Sequence, residues 1–272
     1  MIELVGVQKA YGGRTVLAGA DLVVKPGEAV ALVGGNGSGK TTTLRCIAGL
    51  ARPDGGRVQV CGIDVLTHPR QALERLSYLA QRSAFPGTVT VREVLGVAAQ
   101  LRKQPARAVD REIEQCGLAG VADRLVSQLS GGEHQRLALA VTFVADAPIL
   151  IFDEPSVSLD PAATRMLIAR ARELRRAGRA VLYTTHVAAD IDALATRVAL
   201  LRQGRIEALD DLELRGEPVM SAAPRTAGER ALERLEVRNE SEIRLDDSRR
   251  AAGTGGVWER NTAAAPAAAG PR

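Results

Sequence analysis

The chain has 272 residues, 46% of them hydrophobic and 25% charged, which is the composition of a soluble globular protein long enough to bury a sizeable core without disulfides or structural metal. Its net charge of +4 comes from 36 basic and 32 acidic residues scattered among one another, so the clustered basic face of a nucleic-acid binder is not expected. Cys46, Cys61 and Cys116 are far apart and form no CxxC pair, which argues against a disulfide frame or a zinc site; no apolar run reaches membrane-span length and no signal-peptide pattern opens the chain, so a soluble, cytoplasmic chain is expected.

Residues 2–8 (IELVGVQ) and 28–33 (EAVALV) read as strands, the second feeding directly into GGNGSGKT. TTTLRCIAGL then has helical character, and GRVQVCG at 56–62 is a further strand between Gly- and Pro-rich turns. From about Thr88 to Val144 the pattern is helical, and Leu137, Val141 and Val144, four and three apart, predict one buried helix face. From 148 onwards strand and helix alternate: PILIF, PAATRMLIARARELRRAG, AVLYTT, VAADIDALA and RVALLRQGRI. Continuous apolar strands alternating with helices predict a mostly parallel sheet covered on both faces. The expected architecture is therefore an α/β core with a helical insertion at about 85–145, two lobes of one unit. Beyond Leu214 the periodicity fades, and most of 215–272, including Trp258, is expected to be loosely structured or disordered.

Gly34 to Thr41 fit G-x-x-x-x-G-K-[ST] between a strand and a helix. In that context the backbone N–H groups of Gly34, Asn36, Gly37, Ser38 and Gly39 turn towards the phosphates at the positive end of the helix. Lys40 reaches the β- and γ-phosphates, Thr41 ligates magnesium, and Thr42 bonds the α-phosphate. In PILIFDEP, Asp153 and Glu154 emerge at the carboxyl end of a buried strand, where open α/β sheets place ligands. Asp153 is then a magnesium site and Glu154 a general base, although paired acids at a strand end also serve as plain helix caps. His186, at the end of AVLYTTH, has the place to contact a γ-phosphate and hold the attacking water; a lone histidine is also a common structural residue. Gln81 offers an amide to magnesium or that water. LSGGE at 129–133 supplies a second capped, glycine-rich helix start suited to an anion. The first loop already surrounds its own phosphates, so this second one is most useful to a nucleotide held by another subunit.

Tyr11, GGNGSGKTT, Gln81, LSGGEHQR, ILIFDEP, SVSLD at 156–160 and TTH ending at 186 stand in the order and spacing of the ATP-binding subunits of ATP-binding cassette (ABC) transporters, and residues 2–214 resemble that family. The resemblance implies a P-loop NTPase core with a mostly parallel sheet, N-terminal antiparallel strands and a helical insertion subdomain. It implies ATP and Mg2+ as ligands, and a head-to-tail dimer, of two copies or with a related cassette, that sandwiches two ATP molecules. Ser130, Gly131 and Gly132 would then close on the partner's γ-phosphate, Tyr11 would stack on adenine, and Asp160 would bridge across the dimer. A polytopic permease on a separate chain would dock a coupling helix in the groove beside Gln81, placing the subunit on the inner face of the cell membrane. Gly35 for the usual proline, Glu133 for the commoner glutamine and the serines of SVSLD depart from the family pattern without removing a catalytic residue. VLYTTHVAADIDALATRVALLRQGRI is most similar to exporter cassettes. A soluble ABC ATPase acting on nucleic acid or ribosomes is the competing reading, opposed by the single cassette and the lack of sustained heptads.

Overall fold

The computed structural model describes residues 1–157, 159–209 and 226–233. The chain opens with the hairpin β1 (Ile2–Tyr11) and β2 (Arg14–Val24), followed by β3 (Ala29–Val33) and α1 (Lys40–Ile47). Next come β4 (Gly55–Val60), β5 (Ile63–Asp64), the short α2 (Pro69–Leu73) and β6 (Leu76–Leu79). Helices α3 (Val91–Leu101), α4 (Arg107–Gln115) and α5 (Gly131–Val144) interrupt the alternation, which resumes with β7 (Ile149–Asp153), α6 (Pro161–Arg176), β8 (Ala180–Thr184), α7 (Ala188–Leu194), β9 (Arg197–Arg202) and β10 (Arg205–Leu209).

Two sheets result. One is antiparallel, in the order β2-β1-β4-β5; the other runs β10-β9-β3-β8-β7-β6 and is parallel except for the β9–β10 hairpin. The continuous apolar strands of the second sheet follow from burial on both faces, since successive side chains point to opposite sides. Ala29, Ala31, Val33, Leu150, Phe152, Val181 and Tyr183 enter one core with the helices. Their alternates Val30, Leu32, Ile149, Ile151, Ala180 and Leu182 enter a second core shared with β1, β2, β4 and α1. The helical insertion belongs to the first core through Val91 and Leu95 of α3, Ile113 of α4 and Leu137 of α5. Thr90 and Glu93 form a capping box at the start of α3, which fixes where the helix begins.

The expected α/β architecture is observed, with differences in detail. β2 lies beyond the strands read from the sequence, although TVLAGADLVV carries a partial alternation, and it pairs antiparallel along the length of β1. β6 is also additional: a four-residue strand gives too short a period to read, and it exists because β7 accepts it in parallel register. Helix α5 buries more than one face, with Leu137 to Ala140 and Thr142 to Val144 all buried, because it runs between the other helices and the sheet. Finally, residues 227–233 of the expected loose tail form a helical turn with its own capping box, Glu229 N–H donating to Thr226 Oγ1 at 3.1 Å and Thr226 N–H to Glu229 Oε2 at 2.8 Å. Gly228 N–H donates to Asp192 Oδ1 at 2.7 Å, and a Cβ at Gly228 would stand 2.2 Å from the Ala188 carbonyl oxygen, so only glycine permits this approach to α7. Ser158, residues 210–225 and residues 234–272, Trp258 among them, lie outside the described residues.

Leu137 is fully buried at the centre of the helix-side core. Leu137→Ala should cost about 2–5 kcal/mol of unfolding free energy, read as a lower denaturant midpoint at unchanged slope.

Candidate functional site

The parallel register sets the site. Phe152 pairs with Tyr183 and Asp153 with Thr184, while Leu32 pairs with Thr184 on the other side of β8, so three strands end together. The loop after β3, the acids at the end of β7 and the histidine after β8 are thereby delivered to one edge, where open sheets bind ligands.

The β3–α1 loop is tightly wound. Gly37 and Gly39 adopt φ of 75° and 110°, and a Cβ at Gly34 would meet Ser38 Oγ and the Leu201 carbonyl oxygen at 2.6 Å. Lys40 is buried, its ammonium donating to the carbonyls of Gly34 at 2.7 Å and Gly35 at 3.2 Å. Burial pulls its pKa below the ordinary lysine value, against the opposing pull of the Glu154 and Asp153 carboxylates. Ser38 Oγ is buried without a hydrogen-bond partner among the described residues, an orphaned donor inside the cradle. Thr41 and Thr42 stand half-buried on the first turn of α1, and Asn36 and Gly37 are exposed at the tip.

Asp153 is buried at the strand end; its Oδ1 accepts from Thr184 Oγ1 at 2.8 Å, and the Tyr78 hydroxyl approaches Oδ2 at 3.5 Å. Burial raises the Tyr78 pKa to about 12, so this phenol remains a donor. Glu154 takes φ of 51°, a left-handed conformation unusual for a residue with a side chain, and its N–H donates to Thr184 Oγ1 at 2.9 Å. In this pose its carboxylate is gripped from both sides: Gln81 Nε2 donates to Oε2 at 2.7 Å, and His186 Nε2 lies 3.1 Å from Oε1. The structure therefore brings Gln81, Glu154 and His186 together from three different connections, Gln81 by a hydrogen bond and His186 by close approach of its ring nitrogen to the carboxylate.

Tyr11, Ser130 and Asp160 make their contacts elsewhere. Tyr11 is half exposed at the end of β1, with the Lys9 ammonium 5.1 Å from its ring centroid. Ser130 caps α5 ahead of Gly131 and Gly132, and the Glu133 carboxylate accepts both its N–H and its hydroxyl at 2.8 Å. Asp160 caps α6 through Ala163 N–H at 2.8 Å and pairs with Arg136 of α5 at 2.5 Å. Sequence reasoning missed Thr184, Tyr78 and Arg136. The doubled threonine before His186 is the available signal for Thr184; Tyr78 and Arg136 lie 75 and 24 residues from their carboxylate partners and carry no local signal.

Beside β6, a groove of about 340 Å³ is lined by Leu50, Leu76, Tyr78, Ala98, Leu101 and Val141, among others. Leu50 and Leu101 at its margin are 66% and 78% exposed. The strand flooring this groove continues into Gln81.

The family described as ABC transporter matches residues 17–157. The chain is 38% identical over 208 residues to a Nod factor export ATP-binding protein I of Burkholderia orbicola, covering 75% of this chain and 68% of that protein. It is 34% identical over 219 residues to the retinal-specific phospholipid-transporting ATPase of Bos taurus, covering 78% of this chain and 10% of that much longer protein. Among solved structures, an ATP-binding subunit of an ABC transporter superposes with a TM-score of 0.73 at 27% identity, covering 79% of this chain and 92% of that one. A dimeric ATP-binding cassette in a post-hydrolysis state bound to ADP and Pi gives 0.71 at 23% identity over 78% of this chain and all of that one, a likeness of fold.

Because Lys40 holds its proton less tightly when folded, its burial opposes folding below the depressed pKa, and the penalty is relieved as pH rises towards the ordinary 10.5. Wild-type stability should therefore gain on that of Lys40→Met as pH is raised through that window in parallel denaturation series. Thermal shift should also show the rise in Tm with ATP lost in Lys40→Met.

Proposed function

The chain belongs to the ABC transporter family as an ATP-hydrolysing subunit, and on that premise we propose that it powers an exporter by closing head to tail with a second cassette around two ATP molecules. Residues 1–214 form the ATPase domain in this reading, and the remainder is an extension of it. The observation that carries the proposal is the Gln81–Glu154–His186 group facing the β3–α1 loop across the carboxyl ends of the strands.

The loop from Gly34 to Gly39 offers its amides to the β-phosphate, and Lys40 exchanges the Gly34 and Gly35 carbonyls for β- and γ-phosphate oxygens. Thr42 bonds the α-phosphate and Tyr11 stacks on adenine. The hard oxygen donors of Thr41, Gln81 and Asp153 fit magnesium, and Asp153 has only hydroxyl partners, with no lysine or arginine bridging it among the described residues. Held by these residues, a magnesium ion would supply positive charge to offset that developing on the phosphate oxygens. Glu154, held by Gln81 and His186, takes the proton of the attacking water, and His186 steadies that water against the γ-phosphate. Ser130, Gly131 and Gly132 close on the nucleotide of the opposite cassette, in a two-fold arrangement that uses the same patches reciprocally. Asp160 reaches across that interface.

The apolar groove takes the coupling helix of a permease carried on a separate chain. Among the described residues no helix is long and apolar enough to cross a membrane. In this reading the permease holds the subunit on the inner face of the membrane. Export as the direction rests on relatives named for export.

Glu154→Gln should lower the MgATP hydrolysis rate by about 10²–10⁴-fold and leave a dimer stable in MgATP on size-exclusion chromatography; hydrolysis at the wild-type rate would overturn the assignment. Leu101→Glu should leave hydrolysis by the isolated subunit unchanged while weakening its co-purification with a polytopic membrane protein.

A further inference from the structure

Behind the Glu154–His186 pair sits an acid that the proposed hydrolysis does not use directly. Asp190, on the first turn of α7, is 7% exposed. Its Oδ2 accepts from Ser156 Oγ at 2.5 Å and from Thr185 Oγ1 at 3.1 Å. Thr185 Oγ1 accepts in turn from Val187 N–H at 3.0 Å, which closes the turn around His186. The backbone of Asp190 is fixed as well: its N–H donates to the Val187 carbonyl at 3.1 Å, and its own carbonyl accepts from the buried Tyr183 hydroxyl at 3.2 Å. On the other side, Ser156 belongs to the turn leaving β7, where Val157 N–H donates to the Glu154 carbonyl at 3.2 Å.

We propose that Asp190 is a positioning residue that ties the turn carrying Glu154 to the turn carrying His186 and so sets the separation of those two side chains. The proposal rests on the assignment of Glu154 and His186 to hydrolysis. A buried carboxylate suits the task, because charge-assisted bonds to hydroxyls are short and strong, and a low-dielectric site stiffens them further. Ser156 and Asp190 are 34 residues apart, so no local propensity supplies this restraint. The same tie extends to Asp160, which follows one short turn after Ser156: Leu159 N–H donates to the Ser156 carbonyl at 3.1 Å. Asp190 thus registers the segment proposed to meet the opposite cassette with the pair that handles the water.

The test is steady-state hydrolysis and nucleotide affinity on full-length Asp190→Ala, Asp190→Asn, Ser156→Ala and the Ser156→Ala/Asp190→Ala double variant. A misplacement on the order of 1 Å at a reacting group costs about 100-fold in rate, so Asp190→Ala should lose one to two decades of kcat. KM and ATP affinity should stay within about twofold, since the β3–α1 loop is untouched. Asp190→Asn, which keeps an acceptor oxygen, should recover part of the loss, and the double variant should be no slower than Asp190→Ala alone. Ser156→Ala removes the same tie from the half-exposed side and reads the proposal even where Asp190→Ala does not fold. Wild-type kcat in Ser156→Ala and Asp190→Asn, losses confined to ATP affinity, or effects of the two sites that multiply independently would each overturn it. Glu154→Gln is run alongside: full activity in that variant defeats the hydrolysis assignment, whereas its loss together with unaffected Asp190 and Ser156 variants defeats only the role of Asp190.

Discussion

Thr184 holds the arrangement together. Its hydroxyl donates to Asp153 and accepts from the Glu154 N–H, so one buried side chain on β8 satisfies the end of β7 just where the chain turns into a left-handed conformation. A residue with a side chain at positive φ carries strain on the order of 1–3 kcal/mol, and it persists only where the surroundings over-determine it. Here those surroundings are the parallel pairing of β7 with β8, the hydrogen bond from Gln81 and the close approach of His186 to the carboxylate. Released from them, Glu154 would relax towards ordinary backbone and its carboxylate would leave the phosphate edge.

Electrostatics at that edge are balanced in advance of any nucleotide. Lys40 is buried at a cost that its lowered pKa records, and the carboxylates of Asp153 and Glu154 partly offset that cost.

The helical insertion is tied to α6 by ionic contacts as well as to the sheet by the shared core. Glu112 of α4, with no exposed side-chain surface, accepts from Arg170 of α6 at 3.1 Å and from Arg111 at 3.0 Å, and burial raises its pKa. A buried pair of this kind adds little net stability over an apolar replacement, so its value lies in fixing register between the two elements. Closer to the Ser130 turn, Arg136 of α5 pairs with Asp160 at the start of α6 in a more exposed ion pair. At the far end, the helical turn at 227–233 is bonded through Gly228 to Asp192 on α7, the helix that also carries Asp190, and so is built onto the helix that follows His186.

Legible in the chain are the glycine-rich loop between β3 and α1, the acids at the end of β7, the capped start of α5 and the two-sided burial of the parallel strands. Each is written in a short contiguous stretch, because glycine conformations, helix caps and period-two alternation act between near neighbours in the chain. It took the packed fold to bring Gln81 and His186 against Glu154, to bridge Asp153 and Glu154 through Thr184, to join Ser156 to Thr185 through Asp190, and to add β6 to the sheet. Those contacts link residues 30 to 73 positions apart, apart from Asp190–Thr185 and the local His186 turn. They depend on which strands pair and in what register, and register is set by packing summed over two whole cores, which no local pattern encodes.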